Sequence, residues 1–217
     1  MRKLILRLIA DSRLETKWRG PVLRRGLAIF LCLSSVLLFP SYGETASLPS
    51  SSCAALVTLV DYVERYSRPP QSFPVALQIG QALIRASRKS RLPLYLLVAV
   101  AQEESSFNPG AVNAVSQDYG LFQIHYSFWQ KFFRKREGEN ERRVSRKDLM
   151  GVEINARMAA DILAYDLKLS RGDVVEMLGR YSGRTGAAHA RYVQNILRYS
   201  FEYKHEEIRR KGACPAS

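Results

Sequence analysis

The chain of 217 residues carries a formal net charge of +13, and its length supports one domain of about 150 to 170 residues plus an appendage, enough for a proper core. The charge favours attraction to polyanions, whether nucleic acid, an anionic lipid surface or an acidic cell-wall polymer, and does not choose among them. The only histidines, His125, His189 and His205, lack the spacing of zinc ligands, and the absence of H-E-x-x-H excludes the zincin pattern.

Eight Lys/Arg against Asp11 and Glu15 place +6 of the charge in the first 43 residues, which leaves +7 for the rest. Directly after Arg24-Arg25, residues 27–39 (LAIFLCLSSVLLF) form an uncharged, mostly apolar run. It is shorter than the roughly twenty residues that a bilayer span needs. Followed by Pro40 and then Ser41-Tyr42-Gly43, it reads as the core of an export signal, so residues 1–43 are expected to be a signal peptide or an uncleaved N-terminal anchor. Of the three cysteines, Cys32 lies in that segment. Cys53 and Cys214 remain as an even pair at opposite ends of the mature chain, able to form one disulfide in an oxidising compartment.

Residues 44–52 (ETASLPSSS) have the composition of a linker, and the globular domain is expected over 53–217. Ala55, Leu56, Leu59, Val60 and Val63 give a first helix one apolar face, and Pro69-Pro70 ends it. Val75, Ile79, Ala82, Leu83 and Ala86 mark a second, which closes in the basic run Arg85 to Arg91, where cations suit the negative end of the helix.

The third helix opens at Pro93, a residue suited to a first turn because its missing N–H would be unbonded there. Leu94, Leu97, Val98 and Ala101 form its apolar stripe, and Glu104 continues that series. A carboxylate beside the apolar face is partly desolvated, which raises its pKa and suits it to act as a general acid. Glu103 points about 100° away around the helix and is expected in solvent. After Ser105-Ser106-Phe107-Asn108-Pro109 the chain crosses Asn, Gly and Ser residues to Tyr119-Gly120-Leu121-Phe122-Gln123-Ile124.

Residues 131–147 (KFFRKREGENERRVSRK) crowd charges of both signs and read as a solvated loop or a basic lip for a substrate. A long helix is expected over Leu149–Leu169 with Ile154, Met158, Ile162, Tyr165 and Leu169 facing inward, broken at Arg171-Gly172-Asp173. A short helix Val174–Tyr181, a turn at Ser182–Gly186 and a last helix Ala188–Tyr203, with Tyr192, Ile196, Tyr199 and Tyr203 on one face, complete the chain. There are no repeats, no phosphate loop around Gly183 to Gly186, no nucleophile elbow, and no period-two alternation that demands an extensive sheet.

Five pieces in order, Glu104-Ser105-Ser106-Phe107-Asn108-Pro109, Gly120-Leu121-Phe122-Gln123-Ile124, Glu153-Ile154-Asn155 with Ala160-Asp161-Ile162-Leu163, Tyr181-Ser182-Gly183, and Tyr192-Val193-Gln194-Asn195-Ile196-Leu197, resemble the motif series of the soluble-type lytic transglycosylases over residues 75–200. The lead-in Ser116-Gln117-Asp118-Tyr119-Gly120 is similar to the small members that accompany secretion and conjugation systems.

The resemblance implies a mainly α, lysozyme-like domain (α+β superfamily) with a substrate groove. The implied reaction cleaves the bond between N-acetylmuramic acid and N-acetylglucosamine in peptidoglycan and leaves a 1,6-anhydro sugar, with no metal or cofactor. Ordinary glycosidases use two carboxylates. In the resembled family the substrate's acetamido group stands in for the second, so Glu104 would serve as both acid and base. The resemblance further implies Ser116, Tyr119, Phe122, Gln123 and Tyr181 as saccharide contacts, Tyr181 also orienting Glu104, with Ser105, Asn155 and Tyr192 in support. Phe122 stands where the family usually has Met, and Ser182 where it usually has Asn. Expected partners are glycan strands and components of a secretion or conjugation machine, with a monomeric protein, no nucleic acid, and a periplasmic or wall-associated location.

Two other readings stay open. Asp118 facing Glu104 would activate water and make the protein a hydrolytic muramidase resembling goose-type lysozymes. Alternatively, the chain is a non-catalytic helical module that binds the wall or, given its charge, nucleic acid.

Overall fold

A computed structural model describes residues 50–129 and 144–211. The apolar run 27–39, residues 130–143 of the charged loop, Cys214 and the side chain of Cys53 lie outside the described residues, and with them the expected disulfide.

Helix α1 spans Ser50–Tyr66 and so begins inside the stretch read as linker. Its end comes where expected: beyond it Pro69 and Pro70 can donate no backbone bond, and the Ser67 hydroxyl accepts from the Gln71 N–H at 2.9 Å. Helix α2, Phe73–Ser90, starts after an extended Ser72 with Pro74 in its first turn, and ends at Arg91 in the left-handed region (φ 61°) with Arg88 and Lys89 in its last turn. It buries Ala76, Ile79, Gly80, Ala82, Leu83 and Ala86, one face at helical spacing.

Helix α3, Leu94–Ser105, differs from its expected single stripe. Every residue from Leu96 to Gln102 is buried. The reason is position, because a helix apolar all round belongs in a core, and α3 runs through this one with α6 packed along it and α2 beside it. Past its end, Ser106 (φ 50°) and Phe107 (φ 59°) are both left-handed. This sharp exit carries the fully buried Phe107 ring to 6.1 Å from Tyr62, edge to face. The same Tyr62 ring meets Tyr203 at 5.3 Å, and its hydroxyl donates to the buried Gln102 amide at 2.8 Å, so α1, α3 and α6 are joined by one polar-tipped aromatic cluster.

Three two-residue strands follow: β1 Val112–Asn113, β2 Asp118–Tyr119 and β3 Ile124–His125, antiparallel in the order β1-β2-β3. The register sets Asp118 opposite His125 and Tyr119 opposite Ile124.

The expected long helix from Leu149 is divided. A 3-10 turn, Asp148–Met150, is separated by Gly151 in an extended conformation (φ −77°, ψ 120°) from α4, Val152–Leu169. The break has a use, since it turns the Leu149 carbonyl back to accept from the Asn155 side chain at 2.8 Å. Met158 and Ile162 face inward as read, while Tyr165 and Leu169 are exposed, because the buried face of α4 runs through Asn155, Ala156, Ala159, Leu163 and Asp166 instead.

Helix α5, Val174–Ser182, is capped by Asp173, whose carboxylate accepts from the N–H groups of Val175 and Glu176 at 2.8 and 3.0 Å. Helix α6, Gly186–Lys211, is longer at both ends than expected. The extension beyond Tyr203 is tied to α1 by ion pairs Arg65–Glu206 (2.7 Å) and Arg210–Asp61 (2.6 Å). Helix α2 packs on α4, α4 on α5 and α5 on α6, so the described residues from 54 onward surround α3 in one unit. Among the described residues the architecture is mainly helical with one small sheet, as the sequence implied. Among the described residues no helix is long and apolar enough to cross a membrane.

Candidate functional site

Glu104 lies one residue before the end of α3, half-buried. The Tyr192 hydroxyl, from the buried face of α6, donates to its Oε1 at 2.5 Å. Burial is the main influence on this carboxyl and pushes its pKa up to about 7. The Tyr192 hydrogen bond and the Arg184 charge pull the other way, while the negative charges of Glu103 and Asp118 add to the rise. Burial likewise holds the Tyr181 and Tyr192 hydroxyls well above the usual phenol range, so both stay protonated donors.

Tyr181 does not donate to Glu104. Its hydroxyl donates to the Phe122 carbonyl at 2.9 Å, and the contact expected of Tyr181 is made by Tyr192. The divergence follows from the elements: α6 packs directly along α3, whereas α5 reaches the site past the Gly120–Gln123 turn.

That turn is held by one side chain. Asn155, fully buried at the start of α4, accepts from the Phe122 N–H at 2.8 Å and donates to the carbonyls of Tyr119 (2.9 Å) and Leu149 (2.8 Å). Gly120 is left-handed (φ 79°), and a Cβ there would overlap both the Leu149 carbonyl and the Asn155 amide, so the sequence requires glycine twice over. Ser105 closes the assembly from the other side. Its hydroxyl donates to the Leu121 carbonyl at 2.7 Å, fastening the turn to the end of α3 beside Glu104.

Phe122 is corrected as a saccharide contact. Its side chain is 0% exposed, its N–H is bound to Asn155 and its carbonyl to Tyr181, so a residue that the sequence placed in the groove is part of the core. Gln123 is half-buried in a left-handed conformation (φ 47°), its amide nitrogen donating to Ala111 and Gly120 carbonyls at 3.1 and 2.9 Å. Tyr119 is half-buried with its ring 6.3 Å from Tyr126, edge to face. Ser182 donates to the Leu178 carbonyl of its own helix at 2.9 Å.

The sheet carries the second carboxylate. Asp118 Oδ1 is 2.9 Å from His125 Nδ1, its cross-strand partner, and Oδ2 accepts from the Ser116 hydroxyl at 2.5 Å. Ser116 is thus a partner of Asp118 in this structure, and His125 Nε2 continues the chain to the Ser127 hydroxyl at 3.2 Å.

Glu103 is also corrected. Its side chain is only 12% exposed and not solvated, because Arg184 reaches it at 3.4 Å and the Asn195 amide at 3.3 Å. Arg184, Asn195 and His125 were not singled out from the sequence. The signal for Asn195 was available, three residues beyond Tyr192 on the same helix face; Arg184, in a turn, offered none.

Ser105, Tyr181, Asn155 and Tyr192 therefore converge on the end of α3 by direct bonds or through the Gly120–Gln123 turn, and Asp118 is near enough for its charge to act on Glu104. Among the described residues no group of three His, Cys, Asp or Glu side chains is placed to hold a metal ion. Comparison with curated proteins finds no match. The family model described as the transglycosylase SLT domain matches residues 81–197, more than half of the chain, from the middle of α2 to Leu197 in α6, and on this ground the chain belongs to the transglycosylase SLT family, whose members act on peptidoglycan.

Proposed function

We propose that the protein is a lytic transglycosylase that cleaves the β-1,4 bond between N-acetylmuramic acid and N-acetylglucosamine, with Glu104 as its single general acid and base. The observation that carries this reading is the unequal state of two carboxyls. Half-buried Glu104 has its pKa pushed up to about 7 and is held by one tyrosine hydroxyl, while Asp118 has both oxygens engaged by Ser116 and His125.

In the first step protonated Glu104 gives its proton to the glycosidic oxygen as the bond to the muramic acid carbon breaks and the substrate's acetamido oxygen bonds to that carbon, the positive charge spreading over the cyclised acetamido group. In the second step the Glu104 carboxylate accepts the proton of the sugar's 6-hydroxyl while that oxygen bonds to the same carbon and the acetamido oxygen leaves it, regenerating the neutral acetamido group. No water is consumed and Glu104 ends protonated again. Tyr192 donates to the carboxylate formed between the two steps, which is where the hydrogen bond matters most.

The hydrolytic alternative needs Asp118 to accept a proton from water. Asp118 is close enough to raise the pKa of Glu104, which keeps that reading in view. Mass spectrometry of digested peptidoglycan separates the two. Asp118→Asn is expected to keep making 1,6-anhydro ends, whereas dependence of reducing-end products on Asp118 would replace the proposal with a muramidase. Glycan binding with no product from either form would leave the wall-binding module.

The location follows from substrate and sequence together. Arg24-Arg25 and the run 27–39 support export to the compartment that holds peptidoglycan. Intact mass of the protein recovered from outside the cytoplasmic membrane is expected to begin near Glu44. Cytosolic protein still starting at Met1 would overturn the placement.

A further inference from the structure

The adjacent Glu103 and Glu104 leave α3 in different directions, yet both are received by the same face of α6. Tyr192 takes Glu104 and Asn195, three residues later, takes Glu103. A third group joins the two. Arg184, in the turn between α5 and α6, pairs with Glu103 at 3.4 Å and lays its guanidinium over the Tyr192 ring, 4.6 Å from the centroid. The circuit closes: Glu104 to the Tyr192 hydroxyl, Tyr192 ring to Arg184, Arg184 to Glu103, and Glu103 back to Glu104 through one peptide bond.

An exposed Arg–Glu pair usually contributes little to stability. Here the Arg is 42% exposed in a turn whose glycines, Gly183 and Gly186, are left-handed. Its partner is different: the Glu103 side chain is 12% exposed, so the anion that anchors the guanidinium is fixed. A planar cation stacked on a tyrosine also restricts the ring that carries the hydroxyl.

We propose that Arg184 is a positioning residue that, anchored on Glu103 and stacked on Tyr192, fixes the hydroxyl presented to Glu104 and supports the carboxylate form of Glu104. This deepens, and rests on, the reading of Glu104 as the proton-transferring group. The groups that face Glu104 are Tyr192 from α6, Tyr181 from α5, Arg184 from the turn, Glu103 from α3 itself, and Asp118 from the sheet with His125 on it. Among these Arg184 is the one cation whose charge draws the Glu104 pKa down, against burial. Without it the carboxylate is less favoured, the pKa rises further, and Glu104 becomes a weaker acid for the first step.

The test is a carbon-13 titration of the Glu104 carboxyl in the unliganded protein, assigned with Glu104→Gln. In Arg184→Gln the midpoint is expected to move up by about half a pH unit or more, and Arg184→Lys, which keeps the charge without the stacking plane, to fall between Arg184→Gln and the parent. In turnover on peptidoglycan the alkaline limb should move the same way, with kcat lowered and KM little changed. A Glu104 midpoint identical in the parent and both variants overturns the proposal. Because the titration needs no substrate, Arg184 variants that shift as expected from a parent protein that digests no peptidoglycan would sink the proposed function and leave the positioning role standing.

Discussion

Glu104→Gln is expected to lose ~10²- to 10⁴-fold in peptidoglycan turnover, the usual worth of a positioned general acid and base, while it folds and binds glycan as the parent does. Glutamine keeps the shape of the side chain and an oxygen that can accept from the Tyr192 hydroxyl, so the end of α3, the Ser105–Leu121 link and the turn beyond it keep their contacts. What is removed is the proton that the first step donates and the base that the second requires. Turnover of Glu104→Gln equal to the parent would refute the assignment, whatever the products.

The pH dependence follows from the same burial. A general acid must start protonated, so activity is expected below the Glu104 pKa of about 7 and is lost as pH rises through it. Stability runs the same way. Between its ordinary value of 4.5 and about 7 the folded protein holds a proton on Glu104 that the unfolded chain has released, so stability falls as pH rises through that window. Neutral glutamine escapes this. Thermal unfolding of Glu104→Gln should therefore match the parent near pH 4 and exceed it near pH 8, a variant stabler and inactive at once.

Helix periodicity made most of the fold legible, since α2, α5 and the core of α6 follow from apolar spacing and from Pro, Gly and Asp at their ends. Two elements escaped for physical reasons. The stripe on α3 was real but incomplete, because Leu96, Ala99 and Val100 are equally buried and spacing cannot tell an amphipathic helix from an enclosed one with few large residues on its second face. The division at Gly151 depends on Asn155 capturing the Leu149 carbonyl, a contact between side chain and backbone that no periodicity encodes.

At the site, the direction of Glu104 and its desolvation could be read from its place after Leu97 and Ala101, whereas its hydrogen-bond partner could not. Tyr181 and Tyr192 both carry the right chemistry, and the choice is made by α6 packing along α3. Phe122 misled for the converse reason: its motif marks a turn whose backbone is consumed by Asn155 and Tyr181, and the side chain is the part that goes inward.

Asn155→Ala is expected to be the most destabilising single change near the site. It strands the Phe122 N–H and the Tyr119 and Leu149 carbonyls, bound at 2.8 to 2.9 Å around a side chain with no exposure. Each buried group left unpaired costs ~1–3 kcal/mol, and even with partial relaxation the loss should reach about 3 kcal/mol. For a domain of this size that corresponds to a fall in Tm of about 6 to 12 °C. The damage reaches the chemistry through two links, because the turn freed from Asn155 carries the Phe122 carbonyl that holds Tyr181 and the Leu121 carbonyl that holds Ser105 beside Glu104. Asn155→Asp separates hydrogen bonding from volume. It fills the same space and can still accept from Phe122, but it replaces the donor that faces two carbonyls with an oxygen, so at neutral pH it should be at least as unstable as the alanine variant. Lowering the pH restores one donor and should recover part of the loss. An Asn155→Asp protein as stable as the parent at pH 7, measured by thermal or urea unfolding, would mean that these three backbone groups do not depend on Asn155.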